Sequence, residues 1–339
     1  MVVLRCVKKI FILCVLVLVF ATGIAAWYMH RFLVTLGPAL RQPAVIFVAK
    51  GASLRTISRM LAEEGLVTSG TLFSLWARWI GADRKIKIGQ YEFTEALTPV
   101  ELLERLLLGQ GMRVVVTIPE GLTFRQIVTL LAEKGLGSPE SFLCLNSDPG
   151  FLEKWGLPAQ GMEGYLFPDT YYFSRLASAE EILSQMVVRF YEIFTPEMYR
   201  QAETIDFSVH QVVTLASLIE KETGTAPERP LVSAVLHNRL KRGMLLQCDP
   251  TVIYGIKDFD GNLTQQHLRT LTPYNTYMVP GLPPGPIANP GLKSLLAAVQ
   301  PAKEDYLYFV AKGDGSHQFS SDIAAHNRAV QQYQKRQRL

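Results

Sequence analysis

The pattern of apolar and polar positions gives the chain three textures. Positions 10–29 carry no charged residue, and about 20 apolar residues is the length that crosses a bilayer as a helix. Beyond residue 44 the pattern changes to short apolar runs at 45–48 and 114–118 that predict strands. Each is followed by a turn glycine, a Ser or Thr placed to cap a helix, and apolar residues at i, i+3, i+4 spacing. Between them, Gly89-Gln90-Tyr91-Glu92-Phe93 predicts another strand, and Thr98-Pro99-Val100-Glu101-Leu102-Leu103 starts a helix with a cap and a first-turn proline. Ser147-Asp148-Pro149-Gly150 punctuates the chain. From Glu163 onward aromatics, carboxylates and turn formers become dense, with helices predicted through 212–222 and 231–240. These elements predict an α+β fold behind a membrane anchor. The expected organisation is a tail at 1–9, a span at 10–29, an N-terminal region at 44–143 and a C-terminal domain with a substrate groove at 144–339.

The N-terminal region contains an internal repeat. Gly51-Ala52-Ser53-Leu54-Arg55-Thr56-Ile57 aligns with Gly121-Leu122-Thr123-Phe124-Arg125-Gln126-Ile127. At the same offset Leu61, Ala62, Glu63, Gly65 and Leu66 match Leu131, Ala132, Glu133, Gly135 and Leu136. Each predicted helix stops at a glycine followed by leucine. The order strand, Gly-x-Ser/Thr, short helix resembles the opening of a LysM-type sugar-binding module, which implies a binding role for this half. Any well-capped β-turn-α unit has the same outline, so both readings stay open here.

Charge orients the chain. Arg5, Lys8 and Lys9 precede the apolar run, and Trp27 and Tyr28 close it, which by the positive-inside rule and the aromatic belt keeps the N-terminus cytoplasmic and sends the body outward. A cleaved signal peptide is the rival, with Gly23-Ile24-Ala25 as a weak cleavage site, but the run exceeds the ~7–15 residues of a signal's apolar core. A net charge of +4 over 339 residues, with no Lys/Arg stripe interleaved with aromatics, argues against nucleic acid as a partner. The terminal Gln334-Lys335-Arg336-Gln337-Arg338 reads as a solvated helix end. Of four cysteines, only Cys144 and Cys248 could pair in an oxidising compartment. Two buried free thiols are the alternative.

Candidate chemistry concentrates in Leu215-Ala216-Ser217-Leu218-Ile219-Glu220-Lys221-Glu222-Thr223, where an apolar helical segment acquires two carboxylates before Gly224. On a wheel at about 100° per residue, Val212, Leu215, Ala216 and Ile219 form the apolar face and Lys221 points away. Glu220 and Glu222 flank the face on opposite sides, Glu222 slightly nearer its centre. A carboxyl set against apolar walls keeps its proton near neutral pH and can protonate a glycosidic oxygen. A solvated helix end carrying Glu-Lys-Glu is the plainer alternative. The sequence holds no Gly-x-Ser-x-Gly elbow, phosphate-binding glycine loop, dinucleotide fingerprint or His-Glu-x-x-His helix. His237 and His326 have no partner at ligand spacing. What remains is acid chemistry without metal or cofactor, served by Gln247, Asp249, Tyr254, Tyr274, Asn275 and Tyr277. The loop 281–286, five of whose six residues are Gly or Pro, is expected to be stiff.

An ordered set of motifs carries a resemblance. Glu163-Gly164-x-x-x-Pro168-Asp169-Thr170, Ala216-Ser217-x-x-Glu220-Lys221-Glu222-Thr223, Asn238-Arg239-Leu240, Leu246-Gln247-x-Asp249-Pro250-Thr251-Val252, Tyr274-Asn275-Thr276-Tyr277 and Gly281-Leu282-Pro283-Pro284-Gly285-x-Ile287 together resemble the MltG (YceG-like) family of endolytic murein transglycosylases, from the anchor to Asn327. The resemblance implies one N-terminal span in the inner membrane, a LysM-like portion and a periplasmic catalytic domain. That domain would cut peptidoglycan glycan strands internally, without a cofactor, next to peptidoglycan synthases. It implies Glu222 as the catalytic acid. Gln247, Asp249, Tyr274, Asn275 and Tyr277 are expected to bind substrate or support the acid, along a groove whose other wall includes 165–171. Pattern alone leaves Glu220 open as the acid, and Asp249 or Glu163 as a second, lysozyme-like carboxylate. A membrane-tethered peptidoglycan binder without activity, or a wall-synthesis scaffold, is the reading from another class.

Overall fold

The computed structural model describes residues 2–40, 42–49, 51–109 and 113–335. The side chains of Arg5, Cys6, Lys8 and Lys9, and the whole of Arg336-Gln337-Arg338, lie outside what is described. The chain forms two compact units, one of Met1–Val114 with Ser174–Leu176, the other of Val115–Phe173 with Ala177–Leu339.

The first unit contains α1 (Val2–Val34), β1 (Ala44–Val48), α2 (Leu54–Glu63), α3 (Gly70–Trp79), β2 (Gly89–Phe93) and α4 (Pro99–Leu108). β1 and β2 pair antiparallel, with Ile46 opposite Tyr91. Because side chains alternate along a strand, Ala44, Ile46, Val48, Tyr91 and Phe93 enter the core while Val45 and Phe47 stay exposed. Apolar residues of α1 from Ile12 to Tyr28 are exposed, and the stretch Ile12–Val34 has a mean hydropathy of 2.3. The helix runs past the expected end at residue 29 because its last turns belong to the folded unit. Phe32 is part of the core, and Met29 and Leu33 pack against it.

The second unit contains β3 (Arg113–Thr117), α5 (Phe124–Glu133), α6 (Pro139–Asn146), α7 (Pro149–Lys154), β4 (Thr170–Ser174), α8 (Ala179–Ile193), α9 (Pro196–Thr204) and α10 (Val209–Glu222). It continues with α11 (Arg229–Lys241), α12 (Asp249–Gly255), α13 (Gln265–Arg269), α14 (Leu292–Val299), β5 (Tyr308–Ala311), β6 (His317–Ser320) and α15 (Ile323–Val330). β3 pairs with β4, and β5 with β6. The architecture is thus α+β, mainly helical, with three two-stranded sheets among the described residues.

The sequence repeat is realised in matching detail. α2 and α5 are both ten residues long, and Ser53 and Thr123 accept from the amides of Thr56 and Gln126. Both end before a left-handed glycine, Gly65 at φ 69° and Gly135 at φ 71°. The likeness extends further than the sequence match, since each copy is a strand, a capped helix, a second helix packed on it and a return strand. In the second copy the return strand is β4, delayed by α7. For that reason the compact units divide at Val114/Val115 rather than at the expected 143/144, and the second copy belongs with the chemistry-bearing half.

α10 is the axis of the second unit. One-sided amphipathicity was expected, yet every residue from Val212 to Ile219 is buried, because α9, α11, α12 and α14 all pack on it. A helix enclosed on all sides needs apolar or bonded residues all round. Ser217 and Thr214 meet this by donating to backbone carbonyls of Thr214 and His210 at 2.7 Å. The segment 161–168 lies along α10 at Gly164, which has φ 88°, and a Cβ there would stand 2.6 Å from Pro286 Cγ and 2.7 Å from Val213 Cγ1. Gly164→Ala is therefore expected to lower stability by about 3 kcal/mol, combining left-handed strain with overpacking. Urea unfolding of the variant against the parent checks it.

Candidate active site

The last turn of α10 carries the two carboxylates in opposite surroundings. Glu220 is buried at 7% side-chain exposure against Arg229, itself at 7%, with Arg229 Nη2 donating to Oε1 at 3.1 Å. Its Oε2 accepts from the Gly291 amide at 3.1 Å and the Ser294 hydroxyl at 2.7 Å. Arg229 Nε donates to the same Ser294 at 3.0 Å. Glu220 is thus fully committed to joining α10, α11 and α14.

Glu222 has no such partners. Burial pushes its carboxyl up to about 7, helped by the negative charge of Asp249 and opposed by the Cys248 thiol and the Arg239 guanidinium. A carboxyl in that range keeps its proton at neutral pH and can also give it up, as an acid/base group requires. The chain leaves the helix through Thr223, whose hydroxyl accepts from the Thr225 amide at 3.1 Å. The Thr225 hydroxyl donates to Gly315 O at 2.9 Å, and His317 Nδ1 meets Glu228 at 2.7 Å. The β5–β6 turn therefore clamps the segment that follows Glu222.

Two further segments pack on α10, one of them beside Glu222. Buried Arg239, on α11, donates to Leu307 O at 2.7 Å and to Leu246 O at 2.7 Å, so it holds the start of the 246–249 turn. In that turn Gln247 is exposed with φ 53°, a left-handed value that a non-glycine residue adopts rarely. Cys248 is buried beside Glu222, and Asp249 is exposed at the first turn of α12, where the Tyr277 hydroxyl donates to it. The other segment is the stiff loop at 281–287. Its Ile287 amide donates to Ser217 Oγ at 3.0 Å. Its Pro284 carbonyl lies 2.9 Å from His210 Nε2. A carbonyl can only accept, so Nε2 carries the proton and Nδ1 accepts from the Tyr165 hydroxyl at 3.0 Å.

Glu163 forms a second buried carboxyl. It accepts from the Phe124 amide at 2.9 Å, Asn289 Nδ2 at 3.0 Å and the Tyr254 hydroxyl at 3.1 Å. Burial drives it up to about 7 against the pull of those donors. Tyr254 in turn packs against Tyr274, with ring centroids 4.9 Å apart and planes inclined at 51°.

Of the residues singled out from the sequence, Glu222, Asp249 and Tyr277 are brought together, with Gln247 and Tyr274 on the adjoining loops. Asn275 is not free for a ligand. It is fully buried, its Nδ2 donates to the carbonyls of Thr270, Leu268 and His267, and its Oδ1 accepts from the Tyr277 amide. It supports the site by folding the loop that carries Tyr274 and Tyr277. The aromatic run 165–171 does not line a groove either: Tyr165, Phe167 and Tyr171 are buried, and the Tyr171 hydroxyl donates to Phe167 O at 2.6 Å. Tyr and Phe side chains close to a helix core serve as packing, which their density in sequence cannot distinguish from stacking platforms. Cys144 is exposed and Cys248 buried, both free, so neither a disulfide nor a pair of buried thiols forms. His237 donates to Ala298 O and His326 stacks on Tyr308. Sequence reading passed over Arg229 and Arg239 as site residues. Arg239 lies in the Asn238-Arg239-Leu240 motif, and Arg229 stands at the start of the same helix with no signal of its own.

The fold and most of the chain's length match one family of proteins. The YceG-like family matches residues 46–332. A protein named endolytic murein transglycosylase from Bacillus subtilis is 32% identical over 307 residues, covering 85% of this chain and 84% of its own. One of the same name from Streptococcus pneumoniae is 28% identical over 318 residues, covering 84% of this chain and 57% of that longer relative. A crystal structure of a yceG-like protein from Listeria monocytogenes superposes with a TM-score of 0.59 at 30% identity, over 85% of this chain and 99% of that one. The chain belongs to the YceG-like family.

Substitution separates the two carboxylates. Glu220→Ala strands a buried guanidinium that Glu120, 3.7 Å away and half exposed, only grazes, so a loss of about 3–5 kcal/mol is expected. Glu222→Gln has the opposite sign. Its folded value of about 7 lies above its ordinary 4.5: below the lower value both states are protonated, and above the higher one the folded state carries a buried charge. Glu222→Gln is expected to be neutral near pH 4 and stabilising by roughly 1–3 kcal/mol above pH 7. Thermal unfolding of both variants across that range reads the difference.

Proposed function

We propose that this protein is an endolytic peptidoglycan lytic transglycosylase, with Glu222 as its single acid/base. The observation that carries the assignment of the acid is the contrast at the end of α10, where Glu220 is saturated by Arg229 and Ser294 while Glu222 is desolvated and holds its proton near neutral pH. Protonated Glu222 gives its proton to the oxygen linking N-acetylmuramic acid to N-acetylglucosamine as positive charge develops at the anomeric carbon. The resulting carboxylate takes the proton of the muramic C6 hydroxyl while that oxygen bonds to the anomeric carbon. One C–O bond breaks, one forms, the proton count balances, and a 1,6-anhydro end results without water.

Asp249, exposed and anchored by Tyr277, supports the developing positive charge and raises the acid's proton affinity. Gln247, Tyr274 and Tyr277 contact the glycan from the 246–249 and 272–280 loops. The first unit's order β1, α2, α3, β2 with an antiparallel strand pair supports the LysM-like reading of a glycan-gripping module. The long exposed apolar run of α1 supports a single-pass anchor in the inner membrane, N-terminus inside and the remainder periplasmic. Contact with peptidoglycan synthases in the same membrane rests on the family resemblance.

Glu222→Gln is expected to lower cleavage by at least ~10²-fold, the lower bound of general acid–base contributions, while glycan strands still co-sediment. Since the donor must be protonated, kcat/KM of the parent is expected to fall as pH rises through about 7. A variant that retains a third of the parent's turnover, or a rate flat to pH 9, would move the acid elsewhere.

Products give a separate check. Digestion of long strands in water enriched in heavy oxygen is expected to yield interior cuts with unlabelled anhydromuramic ends by mass spectrometry. Label in the new muramic ends would mean that Asp249 or Glu163 activates water as in a hydrolase. Binding without products would leave the protein a tethered peptidoglycan binder.

A further inference from the structure

One face of α3 has no function in the reaction and no cover. Trp79 is 85% exposed, Leu75 56% and the following Ile80 45%, the first the most exposed large apolar side chain among the described residues. On a wheel at about 100° per residue, Leu72, Leu75 and Trp79 fall within about 60° of one another. They lie beside the face formed by Phe73, Trp76 and Ala77, which is buried in the core. The stripe is therefore a second apolar face, distinct from the one that folds the unit, and a soluble surface rarely leaves such a patch open.

Its starting point fixes what it meets. Leu72, with Thr68 and Ser69, lines a cavity of about 460 Å³ whose other wall is Trp27, Tyr28 and Arg31 of α1. Trp27 and Tyr28 stand where the apolar run of α1 ends, the level at which aromatic side chains sit in a membrane interface. Leu75 and Trp79 continue along α3 the stripe that Leu72 begins at that cavity. Arg78 borders the stripe and exposed Arg84 and Lys85 follow it, against a single acidic residue, Asp83. Apolar and aromatic residues edged by cations are the composition of an interfacial helix on anionic lipid.

We infer that the first unit is seated on the bilayer surface, with α3 lying in the interface, Leu75 and Trp79 inserted among anionic lipid headgroups and Ile80 at the helix end beside Trp79. This rests on α1 being the membrane anchor and goes beyond it. The unit has two attachments to one membrane, so its orientation is fixed as well as its distance.

The test uses the full chain in vesicles of phosphatidylethanolamine and phosphatidylglycerol, with Cys6, Cys14 and Cys144 replaced by serine. A fluorophore is placed on Ile80→Cys or, as a reference, on Ile24→Cys within the apolar run. Lipids with a nitroxide at headgroup level are expected to quench the Ile80→Cys label by about half or more, as for a side chain at interface depth. Trp79→Asp, and separately Arg84→Glu with Lys85→Glu, are each expected to reduce that quenching at least about twofold. Cys14, Ile24, Trp79, Ile80, Arg84, Lys85 and Cys144 are all exposed, so these changes leave the core untouched. Quenching of the Ile24→Cys label alone would overturn the seat and leave the anchor standing. Quenching of neither label would overturn both. Quenching of the Ile80→Cys label that survives both sets of substitutions would show that other residues hold the unit down and overturn the assignment to α3.

Discussion

The ion pair between Glu220 and Arg229 sets the geometry on which the site depends. Taking two charges out of water costs several kcal/mol per ion, and their attraction recovers this only where hydrogen bonds satisfy the remaining atoms. Here they do: a serine hydroxyl and a backbone amide complete Glu220, and the same serine takes Arg229 Nε. Such a pair adds little net stability compared with apolar packing, but it permits one arrangement. It fixes the rotation of the final turn of α10, and with it the direction in which a side chain two residues on must point. Identical carboxyls on one helix end then acquire different duties from their surroundings alone.

From that turn, neighbouring residues hold the remaining parts of the site. Ser217 fastens the 281–287 loop, Lys221 Nζ donates to Gly121 O at 3.3 Å, and Arg239 secures the approach to Gln247. Glu163 ties the start of α5 to Tyr254 and Asn289. Most residues of the motifs that mark the family are thus fasteners. Few of them are positioned to touch a sugar.

That distribution explains what could be read from the sequence. Caps and helix stops were legible because they act within one turn of chain: Ser53, Thr98, Thr123 and the glycines after α2 and α5 all do what their positions imply. The carboxyl-bearing end of α10 was legible from its contrast with the apolar run before it. Which carboxyl meets a guanidinium depends on a residue from the next helix, and no periodicity records that. Likewise Asn275 and Tyr165 carry polar groups that look available until tertiary contacts consume them. The burial of α10 on every side is also a tertiary fact, decided by four helices that pack around it.

The clamp of the β5–β6 turn on Thr225 and Glu228 has a consequence for the order of events during synthesis. Chains emerge at about 5–20 residues per second and earlier segments fold first. The segment that fixes the exit from α10 is held by Gly315 and His317, which lie 90 and 89 residues further along the chain than their partners. Until they arrive, the turn that bears Glu222 lacks its outer support. The turn that carries Glu222 is therefore completed only after a segment 90 residues further along has been made.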